Sequence, residues 1–189
     1  MSKLIESRFY SVLLIVSDYL LLGLLWILGC LPIVTFVASC RGTLATVMAW
    51  EEKGTGHIVK HYLTNFKTHF GRSLVISLLL VGLLGVSHAN LELLREVGMN
   101  EQIVAVGILF FSFVYFGLFC GYLRQDILKQ QSFWQSIQQG VFDFASELPK
   151  RLVLTLVTVI YGGLVFVFPL FLFIFAGAYW KLAGLLLRR

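Results

Sequence analysis

The sequence predicts an all-α fold: a polytopic bundle of about six transmembrane helices, both termini cytoplasmic, forming a single membrane domain over residues 1–189. Two observations give the class and a third gives the topology. The chain is 58% hydrophobic and 13% charged, with a mean hydropathy of +0.86, whereas a soluble domain has about 45–50% apolar and about 25% charged residues. The excess apolar residues fall in runs of roughly 18 or more, the length that crosses a bilayer, and lack the alternation of barrel strands. Lysine and arginine gather in alternate connections, as the positive-inside rule requires.

Residues 1–11 are short and basic, with Lys3 and Arg8 against Glu6. The first apolar run contains Asp18 and continues to Pro32 without an A-x-A-like cleavage site, so it is expected to stay as a span. It covers residues 12–31. Pro32 stops it by withholding a backbone donor, and a second span at 33–50 makes a tight hairpin with the first. Gly54 and Gly56 then break the chain. Residues 57–70 follow, with Ile58, Tyr62, Phe66 and Phe70 every fourth position and Lys53, Lys60 and Lys67 every seventh. This is the pattern of an amphipathic helix, lying at the membrane surface or packed on the bundle as a cytosolic connector, two settings that are compatible.

A third span at 73–90 leads to an acidic loop, 91–101, with Glu92, Glu96 and Glu101 against Arg95. The fourth span is 102–123 and is rich in phenylalanine. The connection 124–151 holds a second amphipathic helix at 133–148. Ser132 and Gln135 fit a capping box, Phe133, Ile137, Val141, Phe144 and Leu148 share one face, and Pro149 is expected to end the helix. The last apolar region, 152–187, is interrupted only by Lys181 and is too long for one span of about 20 residues. Gly162, Gly163 and Pro169 offer a break, giving spans at 152–167 and 169–187, with Lys181 snorkelling to the inner surface. One long tilted span, five in all, is the alternative.

Orientation follows from the basic residues. Segment 1–11 has two, 51–72 four, 91–101 one, 124–151 four and 181–189 three. Six spans with both ends inside place every basic segment in the cytoplasm, whereas five would strand Lys181, Arg188 and Arg189 outside. The net charge of +5 therefore serves topology and contact with anionic lipid, and nucleic acid is not expected as a partner.

No catalytic, cofactor or metal residues are expected. There is no P-loop, no GxSxG and no cysteine with an evident histidine partner. Cys30, Cys40 and Cys120 lie in or at the edge of apolar runs without CxxC spacing and read as small buried thiols. His57, His61 and His69 fall on one helical face with Asn65 in the remaining place, but without HExxH or a carboxylate they read as a polar stripe. Gly121, Gly162 and Gly163 read as helix-contact glycines. Asp18 and Arg41 are the ionisable groups deepest in the apolar runs, where a charge is costly. At 1.5 Å per residue they lie about 20 Å and about 13 Å from the bend at Pro32, a gap an arginine side chain can largely cover. They are expected either to pair within the membrane, directly or through water, or to stand apart, Asp18 in the inner interface and Arg41 on backbone carbonyls or a partner subunit.

The string Leu24-Leu25-Trp26-Ile27-Leu28-Gly29-Cys30-Leu31-Pro32-Ile33-Val34-Thr35 resembles the N-terminal signature of the YesL-type family of small bacterial integral membrane proteins. Glu51-Glu52, the stretch from Tyr62 to Phe70, Leu148-Pro149 and Pro169 also sit where that family's pattern leads one to expect them. Gly23 stands where the family often has an asparagine. The resemblance supplies no catalytic residues. It implies a multi-pass protein of the bacterial cytoplasmic membrane, associated with carbohydrate ABC importers and binding their permease helices. The expected contact surfaces are the hairpin around Trp26, Pro32 and Thr35, and the two amphipathic helices through Ile58, Tyr62, Phe66 and Phe70 and through Phe133, Trp134 and Ile137. A stand-alone oligomeric solute transporter and an envelope-polysaccharide assembly factor are the alternatives. These residues name no small-molecule ligand.

Overall fold

Apolar runs and the breaks between them set the helices. The computed structural model describes residues 8–53, 57–98, 100–129 and 132–188. Among them are α1 (Arg8–Cys30), a 3-10 turn (Ile33–Thr35), α2 (Phe36–Lys53), α3 (Ile58–Lys67), α4 (Phe70–Glu96), α5 (Glu101–Leu128), α6 (Phe133–Ser146), α7 (Leu148–Val167) and α8 (Leu170–Arg188), and no strand. Five stretches are long and apolar enough to span a bilayer: Val12–Cys30, Ile33–Trp50, Phe70–Leu94, Gln102–Leu128 and Leu148–Val167. A sixth apolar segment, Phe175–Leu187 within α8, is shorter. The break between α7 and α8 falls at Phe168 and Pro169, while Gly162 and Gly163 continue the helix.

Three local expectations are corrected. Pro149 lies in the first turn of α7 and starts that helix, a position where its missing N–H leaves no bond unmade. Ser132 is the N-cap of α6 but its side chain makes no capping hydrogen bond. The histidine stripe is broken, because His57 (φ 49°) and His69 (φ 56°) adopt left-handed backbone on either side of α3. Left-handed backbone is uncommon outside glycine and asparagine. The two residues detach α3 from both neighbours, so His69 does not share a helix with His57 and His61.

The chain forms two compact units, Met1–Phe70 with Leu156–Arg189, and Gly71–Thr155. In the first, α2 is the axis. Two-thirds of its span window is buried (67%), against 6–17% for the other four spans. It is also rich in small and polar residues: Ala38, Ser39, Cys40, Gly42, Thr43 and Thr46 are all buried. Small side chains let neighbouring backbones approach where apolar bulk has no hydrophobic advantage over lipid. Two of the hydroxyls are satisfied within the helix, Thr43 Oγ1 donating to Ser39 O (2.9 Å) and Thr46 Oγ1 to Gly42 O (2.7 Å). α1, α3 and α8 pack around this axis.

α8 contributes a small-residue face through Ala176, Gly177, Trp180, Ala183, Gly184 and Leu187, and the backbone of Gly177 lies against that of Tyr19. Lys181 Nζ sits 5.2 Å from the centre of the Tyr19 ring, a cation–π contact that shelters its charge. The outer half of α7 returns along α8 through a stacked Tyr161–Tyr179 pair (4.9 Å) and a Thr158–Tyr179 hydroxyl bond of 3.0 Å.

In the second unit α5 and α6 pack closely. The buried centre of α6 is Ser136 and Gly140, because the backbones of Gly121 and Gly140 touch. Phe133, Ile137 and Phe144 flank that seam half-buried, while Val141 and Leu148 are exposed instead of sharing the inner face. The Phe144 ring covers Gly117 and meets Phe113 at 5.7 Å. Gly121 is thus a contact glycine, whereas a side chain at Gly162 or Gly163 would meet open space.

Gly140→Ala is expected to lower the melting temperature in detergent by several degrees, since forcing extra atoms into a packed seam costs about 1–3 kcal/mol. Gly82→Ala, in open space, is expected to leave it unchanged or raise it slightly. Thermal unfolding followed by circular dichroism checks both.

Candidate functional site

The polar residues of the first unit converge where α1 bends into α2. Pro32 (φ −77°) ends the approach to the bend, and the carbonyls of the last turns of α1 need donors from elsewhere. α2 supplies them. Thr35 Oγ1 lies 2.7 Å from Gly29 O and 2.8 Å from Pro32 O. Ser39 Oγ lies 2.8 Å from Trp26 O and 2.9 Å from Tyr62 Oη of α3. Gly29 makes room for this arrangement, because a side chain there would collide with the Tyr62 hydroxyl and Ser39. Trp26 packs edge-on against Trp180 at 5.7 Å. The spacing of Trp26, Gly29, Pro32, Thr35 and Ser39 is therefore a helix-bend device that ties three helices together.

α3 closes over the bend with its apolar face inward. Ile58 and Tyr62 are buried in the chain's own core, and Phe66 stacks between Tyr62 and Phe70 at 5.8 and 5.5 Å. The helix packs on the bundle, against α1 and α2, a setting compatible with a place at the membrane surface. Burial pushes the Tyr62 phenol up to about 12, with Cys30 and Cys40 adding to the rise and the Ser39 hydrogen bond opposing it, so Tyr62 stays a neutral hydrogen-bonding group. The Cys30 and Cys40 thiols, separate in sequence, are in hydrogen-bonding contact across the bend.

The two charges singled out in the hairpin are not joined among the described residues. Arg41 is buried, and its Nη1 donates to Asn65 O at 2.7 Å, while Asn65 Nδ2 donates to Thr46 Oγ1 at 3.2 Å. Asn65 thus faces the hairpin instead of continuing a histidine stripe. Asp18, half-buried, lies in a groove of about 850 Å³ between α1 and α3. Among the described residues no ion pair joins Asp18 to Arg41.

A second polar cluster, which no spacing in the sequence announced, lies within the second unit. Arg124 of α5 bridges Glu147 (2.8 Å) and Asp143 (3.4 Å), and Gln125 Nε2 donates to Asp143. Burial pushes the Glu147 carboxyl up, but the hydrogen bond and charge of Arg124, with Lys150, hold it below the usual carboxylate range. Its stabilising effect is therefore present above the ordinary carboxylate pKa and is lost as pH falls through the lower folded value. Beside this network Arg151 is only 2% exposed, near Cys120, and its three guanidinium nitrogens have no hydrogen-bond partner among the described residues.

The proposed contact residues divide. Ile58 and Tyr62 are buried, Trp26, Thr35, Phe66, Phe70, Phe133 and Ile137 are half-buried, and Pro32 and Trp134 are exposed. Phe133 meets the Tyr122 ring edge-on at 6.3 Å. On α6, Trp134 (65% exposed) and Phe142 (75%) stand with Val141 on a second, outward apolar face. Trp134 was expected as a contact residue, but Val141 was assigned to the inner face; the Gly121–Gly140 seam turns it outward beside Phe142.

Residues 19–91 match the family described as "Protein of unknown function, DUF624". The matched stretch begins at Tyr19 on α1, includes the bend, α2 and α3, and ends on α4 at Leu91. The DUF624 similarity thus covers the whole Trp26–Tyr62 bend device and leaves out α5 to α8. No curated protein and no solved structure matches the chain.

Tyr62→Phe is expected to cost about 1 kcal/mol, the worth of one hydrogen bond, and Gly29→Ala more than that. Combining them should recover part of the Gly29→Ala cost, because the hydroxyl that collides is gone; a double-mutant cycle of unfolding free energies reads this directly. In the other cluster, Arg151→Met is expected to hold or raise the melting temperature, since an apolar side chain of similar size replaces a buried guanidinium with no hydrogen-bond partner among the described residues. Arg124→Met should lower it, because Asp143 and Glu147 lose their shared cation.

Proposed function

We propose that the chain is an accessory subunit of a carbohydrate ABC importer in the bacterial cytoplasmic membrane, as its YesL-type resemblance suggests. It crosses the bilayer six times with both ends inside, and binds the permease. The observation that carries this reading is the outward face of α6. Trp134 and Phe142 are exposed on a helix that lies between spans and already has its inner face packed on α5. Large exposed aromatics on such a helix suit a protein partner whose own apolar groove receives them. Ile58 and Tyr62 are taken up by the core, so the contact surface narrows to α6 and to the hairpin tip at Leu31, Pro32 and Ile33. The DUF624 similarity over the hairpin is compatible with this reading.

Purification of the tagged chain from its native membrane in mild detergent should yield the permease subunits in stoichiometric amounts. The double variant Trp134→Ser/Phe142→Ser should reduce their recovery at least fivefold while the melting temperature of the chain stays unchanged. A homo-oligomer free of permease would overturn the reading and favour the stand-alone transporter.

A further inference from the structure

The groove between α1 and α3 belongs to neither the bend device nor the α6 surface, and its lining is specific. Leu14, Asp18 and Leu21 recur at helical spacing on one face of α1. α3 faces them with Lys60, Thr64 and Lys67, spaced four and three residues apart, and with Leu63 beside them. The volume of about 850 Å³ is in the range of small-molecule sites, roughly 300–1,000 Å³. His57, which also lines the groove, is the N-cap of α3 and provides no side-chain cap, so the positive end of that helix adds to Lys60 in its first turn, while Lys67 stands at the other end.

The charges are arranged for a molecule with both signs. Two ammonium groups and a helix N-terminus suit a phosphate. Asp18 makes no ion pair among the described residues and supplies one carboxylate on the opposite wall, which suits an ammonium. The leucines suit acyl chains. Asp18 also lies six residues inside the start of the Val12–Cys30 span, about 9 Å along the helix, so an ammonium group that reaches it is drawn below the headgroup level into the groove. We infer that this groove binds an aminophospholipid of the phosphatidylethanolamine class, its phosphate held by Lys60 and Lys67 and its primary ammonium by Asp18. A phosphate-only lipid leaves Asp18 facing the lysines without a ligand, and a choline headgroup lacks the N–H donors that a carboxylate would receive.

The test is lipid competition on the full-length chain in nanodiscs, read by native mass spectrometry after release, with phosphatidylethanolamine, phosphatidylcholine and phosphatidylglycerol of matched acyl chains. The wild type should retain phosphatidylethanolamine about tenfold over phosphatidylcholine and over phosphatidylglycerol, the worth of one charge-assisted hydrogen bond. Asp18→Asn should abolish that preference while phosphate-containing lipids still bind, and Asp18→Glu should restore most of it. Lys60→Gln/Lys67→Gln should weaken retention of all three lipids, and the doubly arginine-substituted chain should recover it. These side chains are outside the buried core, so the variants should keep the wild-type melting temperature. Equal retention of the three lipids by the wild type would overturn the inference. So would a preference that survives Asp18→Asn, or retention indifferent to the lysine substitutions.

Discussion

The first unit depends on one constraint: its central helix is enclosed by protein. α2 has α1, α3 and α8 around it, so it gains little from apolar bulk and much from close approach. Ala38, Gly42 and the small hydroxyl residues provide that approach. The hydroxyls then have to be satisfied, and they are. Thr43 and Thr46 bond back within the helix, Ser39 links Trp26 to Tyr62, and Asn65 joins Arg41 to Thr46. Each bond is modest in isolation, but a buried hydroxyl left unmade costs more than a made bond gains. That asymmetry makes the set specify one packing.

The same logic explains why α3 closes on the bundle. A helix of ten residues is marginal alone. Its left-handed histidine boundaries release it from the directions of α2 and α4, and its apolar face then finds the hairpin. Its lysines are left on the open side of the groove. The second unit uses the same small-residue contact once, at Gly121 and Gly140, and places its charges beside it. Arg124 gathers two carboxylates, while the guanidinium of Arg151 is buried close by with no hydrogen-bond partner among the described residues.

Much of the architecture was legible in the residues. Long apolar runs marked the spans, and Pro32 and Pro169 marked the breaks, because a missing donor acts locally and needs no tertiary information. The site was harder to read. Arg41 was singled out as deep in an apolar run, with backbone carbonyls as one of its readings, but that the carbonyl belongs to Asn65 depends on how α3 folds onto the hairpin, which no spacing encodes. The Arg124 network draws on three helices, and the Cys30–Cys40 contact exists only because the bend sets those helix ends side by side. The inner face of α6 was misjudged by periodicity, because a glycine seam counts as apolar in the structure but carries no weight in a hydrophobic pattern.

The lengths of α4 and α5 carry a consequence for where the protein can reside. Its apolar stretches run Phe70–Leu94 and Gln102–Leu128, 25 and 27 residues, or about 38 and about 40 Å of helix. A hydrocarbon core is nearer 30 Å. Both helices exceed it by a similar amount, so they must tilt, protrude into the headgroup region or draw lipid up around them, at a cost that falls as the bilayer thickens. This half of the chain is therefore matched to thicker membrane and sensitive to acyl-chain length.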